Sequence, residues 1–299
     1  MARLCEGRVA IVTGGARGVG REHCLMLAEH GAKVVVNDLG GDRAGAGQDI
    51  SAAQQVVNEI KAKGGEAVAN GDDVSDWNGA KRMVDQAVSA FGKLDALVLN
   101  AGILRDRMLV NMSEQEWDAV IKVHLKGTFA PARHAAAYWR DQAKAKGGPV
   151  DARIITTTSV SGIYGNIGQT NYGAAKAGIA SFTVIAAREL GRYGVTVNSI
   201  SPSAFTRMTE DLRTYTEEDK ETRSPKWIAP VATWLVSEES REITGRVFQA
   251  GNGQFAVAEG WHKGPESKPV LDPHQAGKIL TELAKKARKN AGMNGLDLD

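Results

Sequence analysis

Short runs of apolar, mostly β-branched residues recur along the chain: "VAIVT" (9–13), "KVVVND" (33–38), "EAVANGDD" (66–73), "LDALVLN" (94–100), "RIITTTS" (153–159), "VTVNSIS" (195–201) and "RVFQAG" (246–251). Each reads as a buried strand. Between them lie segments of helical period at Arg21–His30, Ala52–Lys63, Trp77–Phe91, Glu114–Gln142, Tyr172–Gly191 and Pro225–Ser237. Strands alternating with helices predict βαβ units and an α/β fold: a doubly wound, mostly parallel sheet of about seven strands, helices on both faces. Glycine-rich stretches at 40–48 and 146–151 break elements without dividing domains, because periodic structure resumes at once. The polar run 203–223 has weak apolar periodicity and predicts a mobile, partly helical flap over a site, with an ordinary surface helix pair as the competing reading. One main domain, 1–253, is expected, followed by an extension, 254–299, that carries an amphipathic basic helix near Pro273–Lys289.

Composition narrows the function classes. With 299 residues and 42% hydrophobic content, the chain can bury one large core. Its 37 basic and 35 acidic side chains nearly cancel, short of the concentrated basic field that nucleic-acid binding requires. No nucleic-acid partner is expected. Two cysteines, Cys5 and Cys24, without metal-ligand spacing, predict free thiols in a reduced compartment and no metal. The first strand follows the first residue closely, leaving no room for a signal peptide, and no apolar run approaches the ~20 residues that span a bilayer. A soluble, cytoplasmic protein that does not enter a membrane is the expectation.

Chemistry begins at "IVTGGARGVG", where Gly14, Gly18 and Gly20 lie between the first strand and the first helix, with Arg17 and Val19 among them. Glycines let backbone approach a pyrophosphate, which then sits against the free N–H groups and positive end of that helix. The spacing is G-x-x-x-G-x-G, and Asp38 follows at the end of the second strand. Its carboxylate can accept from both hydroxyls of an adenosine ribose and repels a 2′-phosphate, which favours NAD over NADP. Arg17 and Arg43 are each able to pair with such a phosphate and keep NADP as the alternative.

A second constellation is "NYGAAKAG" (171–178), which places Tyr172 and Lys176 at i and i+4 on one helix face among small residues. Here the chain resembles the short-chain dehydrogenase/reductase family, with its Rossmann-type fold, over roughly residues 6–253. The resemblance is carried by "TGGARGVG" (13–20), "DDV" (72–74), "NAG" (100–102), "SVSGIYGNIGQTNYGAAK" (159–176) and "VNSISPS" (197–203). It implies that Asp73, with Val74 beside it, binds the adenine edge, and that Asn100, Ala101 and Gly102 support the sheet behind the cofactor. It also implies Pro202 at the cofactor, followed by Ser203 where the family has glycine, and Thr206 on the nicotinamide carboxamide. Tyr172 becomes the catalytic base, Ser159 the donor to the substrate oxygen, and Lys176 both the holder of the nicotinamide ribose and the charge beside the phenol. A free phenol titrates near 10; the nearby ammonium and the positive nicotinamide ring favour the phenolate, and an ion pair at ~4 Å is worth about one to three pKa units. His124, in "KVHLKG", stands where the family carries a catalytic asparagine; as a relay it brings a pH dependence near neutrality, and as a core or interface residue it brings none.

Within the family, "VVVNDLGGD", "VHLKG" and "GRVFQAGNGQFAVAEGW" are most similar to the (3R)-hydroxyacyl-CoA dehydrogenase region of the peroxisomal multifunctional enzyme and its bacterial relatives. That implies hydride transfer from a secondary alcohol to NAD, an acyl-CoA substrate, and basic side chains at the mouth such as Arg105, Arg107 and Arg207. A hydroxysteroid or other alicyclic alcohol dehydrogenase uses the same catalytic set, and a catalytically silent NAD-binding protein uses the same fold. Family members form homodimers or homotetramers through the long helices near Trp117–Gln142 and Tyr172–Gly191. The alanines Ala130, Ala132, Ala135, Ala136 and Ala137 serve either that contact or packing within the subunit. The basic stretch 285–290 reads as a solvated helix end, or as a closure over a neighbouring subunit's site.

Overall fold

The computed structural model describes residues 3–42, 45, 47–206 and 215–297. Arg43 and Arg207, with residues 208–214 of the expected flap, lie outside them.

Among the described residues eight strands form one sheet: β1 (Val9–Thr13), β2 (Lys33–Asn37), β3 (Ala67–Asn70), β4 (Ala96–Leu99), β5 (Ala152–Thr157), β6 (Val195–Ser203), β7 (Val247–Gly251) and β8 (Gln254–Ala258). Their order is β3-β2-β1-β4-β5-β6-β7-β8. All neighbours are parallel except β7 and β8, which pair antiparallel. The eighth strand extends the expected seven. It follows a two-residue turn, Asn252 (φ 53°) and Gly253 (φ 76°), the left-handed pair that suits a tight hairpin.

Alternate residues of the strands feed two cores, one on each face. Ala10, Val12, Val34, Val36, Val98 and Ile155 pack with Leu27 of α1 (Gly18–Glu29), Ile60 of α2 (Ser51–Ala62) and Leu235 from a later helix. Val9, Ile11, Val35, Leu97, Leu99 and Ile154 pack on the other face with Met83 of α3 (Trp77–Phe91) and with Trp139. Period-two alternation on a sheet buried on both sides explains why each strand reads as an unbroken apolar run.

The expected single helix 114–142 is instead α4 (Glu114–Ile121), a π-helical turn at Lys122–Lys126, and α5 (Gly127–Lys146), which carries Trp139. A π turn inserts one residue into the helical ladder, and here it delivers His124 to the interior. Beyond it come α6 (Val160–Ile163), α7 (Thr170–Leu190), α8 (Glu217–Thr222), α9 (Ala229–Val236), which carries Leu235, and α10 (Pro273–Lys286). Of the alanine stripe, Ala130, Ala132 and Ala135 are buried within this subunit, while Ala136 and Ala137 are half-buried. In the extension, residues 259–272 are exposed and α10 buries no residue.

Strand order reverses between β1 and β4, because β2 and β3 lie on one side of β1 and later strands on the other. Loops leaving the carboxyl ends of β1 and β4 therefore diverge and open a crevice. Gly14–Gly20 and Asn100–Gly102 occupy those two loops.

Candidate active site

The glycine loop is held from beneath. Asn100 Nδ2 donates to the carbonyls of Thr13 (3.2 Å) and Gly14 (3.3 Å), and Thr13 Oγ1 accepts from the N–H groups of Asn100 (2.9 Å) and Ala101 (3.1 Å). A Cβ on Gly20 would lie 2.0 Å from the Gly14 carbonyl oxygen, so the helix start and the strand end touch there. Gly18 opens α1 at φ +52°, where side chains are strained, and Val19 packs on the core below. Arg17 caps α1 without a side-chain hydrogen bond, and no acidic residue sits in its first turn. The positive end of that helix is thus left for an outside anion. Thr206, on the chain leaving β6, places its methyl 3.4 Å from where a Gly18 Cβ would be.

At the adenosine end, Asp38 accepts from the N–H groups of Ala16 (3.0 Å, Oδ2) and Gly40 (2.8 Å, Oδ1). Each oxygen keeps a lone pair for a ribose hydroxyl. Arg17 reaches the same loop, donating to the Gly41 carbonyl at 3.2 Å. Asp73 turns one oxygen back on Ser75 (2.8 Å to N, 2.7 Å to Oγ), and Val74 is buried beneath Gly127. Pro202 lies in β6 opposite Ala250, and Ser203 opposite Gly251. The glycine expected at 203 is not needed in an extended strand. The close approach falls on Gly251, where a Cβ would lie 2.2 Å from the Ser203 carbonyl oxygen.

The reacting groups converge where β5 and α7 meet. Ser159 caps α6, its hydroxyl accepting from Ser161 N at 3.2 Å. Lys176, buried in α7, donates to the Thr157 carbonyl at 2.6 Å and lies 5.6 Å from the centre of the Tyr172 ring. Burial pushes its ammonium down to about 7. Tyr172 moves opposite to the sequence expectation. Burial pushes its phenol up to about 12, a hydrogen bond with Ser159 pulls it back, and the charge of Asp106 pushes it further up. Desolvation outweighs the Ser159 hydrogen bond.

His124 is buried, its ring edge-on to Tyr172 with centroids 5.1 Å apart. Nε2 faces both the carbonyl of Ile103 (2.8 Å) and its N–H (3.1 Å), and Nδ1 has no partner among the described residues. Only glycine fits at 102, because a Cβ there would lie 2.3 Å from His124 Cε1. Burial first, and then Lys176, push the imidazole down to about 3, with the Ile103 hydrogen bond opposing. The pH dependence expected near neutrality therefore has no source in this imidazole, which stays neutral there.

Residues 8–218 match the family described as short chain dehydrogenase. The chain belongs to the short chain dehydrogenase family. It is 47% identical over 252 residues to hydroxyacyl-CoA dehydrogenase ChsB1 of Mycobacterium tuberculosis, covering 81% of this chain and 77% of that one. It is 43% identical over 251 residues to the peroxisomal hydratase-dehydrogenase-epimerase of Neurospora crassa, 84% of this chain but 27% of that protein, so it spans about a quarter of that multifunctional relative. A crystal structure of a short chain dehydrogenase from Mycobacterium avium superposes with a TM-score of 0.86 at 50% identity, covering 96% of this chain and 98% of that one.

As in the family, a nicotinamide cofactor belongs in the crevice, and the uncapped α1, the glycine cradle and Asp38 fit one. Of the arginines expected at the mouth, Arg107 is engaged with Glu116 at 3.1 Å, and Arg207 lies outside the described residues. Sequence reasoning passed over Asp106, Gln169 and Asn171, which hold the tyrosine in place. For Gln169 and Asn171 the signal was present: amide side chains just before the Tyr-x-x-x-Lys pattern, at the start of a helix, where such groups cap or tether backbone.

Proposed function

We propose that this short chain dehydrogenase is an NAD-dependent 3-hydroxyacyl-CoA dehydrogenase, oxidising a secondary alcohol to a ketone and running the reverse under reducing conditions. The observation that carries this reading is the convergence of Ser159, Tyr172 and Lys176 beside a glycine loop with an uncapped helix end. Bound in the crevice, the dinucleotide supplies the hydride acceptor. Ser159 orients the substrate oxygen, Tyr172 takes the hydroxyl proton, and Lys176 holds the ribose and stabilises the phenolate as it forms. Gly14, Arg17, Gly18, Val19 and Gly20 line the pyrophosphate, Asp38 the ribose, Asp73 and Val74 the adenine, Asn100, Ala101 and Gly102 the floor, and Pro202 and Thr206 the nicotinamide. The buried imidazole of His124 serves by holding Ile103, not by titrating.

The acyl-CoA assignment draws support from the names of the relatives, whereas a hydroxysteroid dehydrogenase draws on no separate feature of the site. A homodimer or homotetramer is consistent with Phe129 of α5 and Ile185 of α7, which stand 45% and 54% exposed on adjacent helices. Cytoplasmic location remains our reading; among the described residues no helix is long and apolar enough to cross a membrane. Incubating the protein with NAD and a panel of 3-hydroxyacyl-CoAs and hydroxysteroids, while following NADH, tests the proposal. Turnover of the thioesters is expected. Turnover of steroids alone overturns the substrate class, and no turnover of either favours the silent NAD-binding alternative.

A further inference from the structure

The segment that joins Ser159 to Tyr172 is fastened by polar groups that take no part in the chemistry above. Gln169, buried just before α7, accepts at Oε1 from Ser161 Oγ (2.7 Å) and Asn166 Nδ2 (3.0 Å), and its Nε2 donates to Asp106 Oδ2 at 2.7 Å. Asn171, fully buried, donates to the carbonyls of Arg105 (2.9 Å) and Glu116 (3.2 Å) and accepts the Tyr172 N–H at 2.7 Å. Arg107 N donates to the Gly168 carbonyl at 2.8 Å. The loop after β4 is thereby laced along residues 105–107 to the connection between the serine and the tyrosine. Gln169 has one amide that meets three partners, so a shift of any one moves the others.

Asp106 brings a formal charge to this network. Facing Tyr172 are also Lys176 from α7 and the neutral His124 from the π turn, while the Glu116 carboxylate of α4 is turned to Arg107. We propose that Asp106 and Gln169 act together as a positioning pair for the catalytic tyrosine: they set its spacing from Ser159 and place a fixed negative charge on the phenol's side of the site. The proposal rests on the assignment of Tyr172 as the base. A carboxylate there keeps the hydroxyl protonated, ready to donate to a carbonyl oxygen in the reductive direction, and the raised phenol agrees in sign. Asp106 is itself exposed, so its field is partly screened and its effect is modest.

The test compares pH profiles of kcat/KM in both directions for wild type, D106N and D106A, at low and high salt, with Y172F as a control. The side-chain amide oxygen in D106N still accepts from Gln169, so this variant removes charge and keeps geometry. Neutralising the charge lowers the phenol's proton affinity. The acidic limb of oxidation in D106N is expected to move down by about half a pH unit, roughly a threefold gain on that limb, shrinking as salt rises. D106A is expected to show the same displacement plus a roughly tenfold fall in kcat, because Gln169 loses its anchor, with KM for the dinucleotide unchanged. Thermal melts confirm that each variant is folded. An unmoved limb in D106N, or a D106A kcat equal to that of D106N, overturns the pair. Undiminished turnover in Y172F overturns the base assignment instead, and the two failures are read separately.

Discussion

Replacing Lys176 by methionine separates what this residue does for chemistry from what it does to the fold. Its ammonium falls from the ordinary 10.5 to about 7 because it is buried, with a hydrogen bond from Nζ to the Thr157 carbonyl. At ~1.4 kcal/mol for each decade of proton affinity, the folded state bears a penalty of about 5 kcal/mol while the group is charged in both states. A lysine with a depressed folded pKa binds fewer protons folded than unfolded between about 7 and 10.5. Stability therefore rises with pH across that window, and the penalty is fully present below it. Lys176→Met removes the penalty but leaves the Thr157 carbonyl without its donor, which costs ~1–3 kcal/mol. A net gain of about 2–4 kcal/mol at pH 6 remains, in the range seen when buried charges give way to apolar side chains. With an unfolding entropy of roughly 0.6 kcal/mol/K for a chain of this size, the melting temperature should rise by about 3–6 °C. The assay is a melting curve of both proteins, without dinucleotide and at one protein concentration, from pH 6 to pH 9.5. The variant should melt higher at pH 6, the gap should close as pH rises, and turnover should vanish. A variant that melts lower at every pH by a constant amount refutes the reasoning.

Other perturbations probe other parts of the site. Tyr172→Phe should lower kcat by about 10²–10⁴-fold while dinucleotide affinity and melting temperature hold, since only a positioned proton donor is lost; kcat and calorimetric titration check this. Asp38→Ala should narrow the ratio of kcat/KM for NAD over NADP, and a wild-type preference for NADP would contradict the role given to that carboxylate. His124→Asn should leave the shape of the pH profile between pH 5 and pH 9 unchanged, because the imidazole is pushed down to about 3 and stays neutral across that range; a lost ionisation near neutrality would show that it titrates. Truncation before Pro273 tests whether α10, none of whose residues is buried in its own subunit, closes a neighbour's site: an unchanged KM and subunit number would remove that role.

Most of the fold was legible because burial on both faces turns each parallel strand into an apolar run, and the helices between them keep their period. The eighth strand was not read as one, although Asn252-Gly253 is a strong hairpin signal and Phe255 to Ala258 form an apolar run; that run is short and lies largely exposed at the sheet edge. Nor could the break in the helix from Glu114 be seen, since a π turn leaves the apolar period nearly intact and shows itself only in where His124 ends up. Residue types and spacing exposed Tyr172, Lys176 and Ser159, but not their proton affinities. Those depend on how deeply each is buried, and burial reversed the expected direction for Tyr172 and silenced His124. Asp106 escaped notice for a related reason: it meets Gln169 across 63 positions of sequence, a pairing that only the folded chain brings about.

If hydride passes directly from the substrate carbon while Tyr172 takes the proton, an isotope on that carbon must travel to the dinucleotide. Incubating the protein with NAD and a 3-hydroxyacyl-CoA deuterated at C3, then weighing the reduced dinucleotide by mass spectrometry, tests this most directly. Deuterium in the nicotinamide ring of the product, transferred by wild type about 10²–10⁴-fold faster than by Tyr172→Phe, is the predicted result; unlabelled product, or an equal rate of label transfer by the variant, would contradict it.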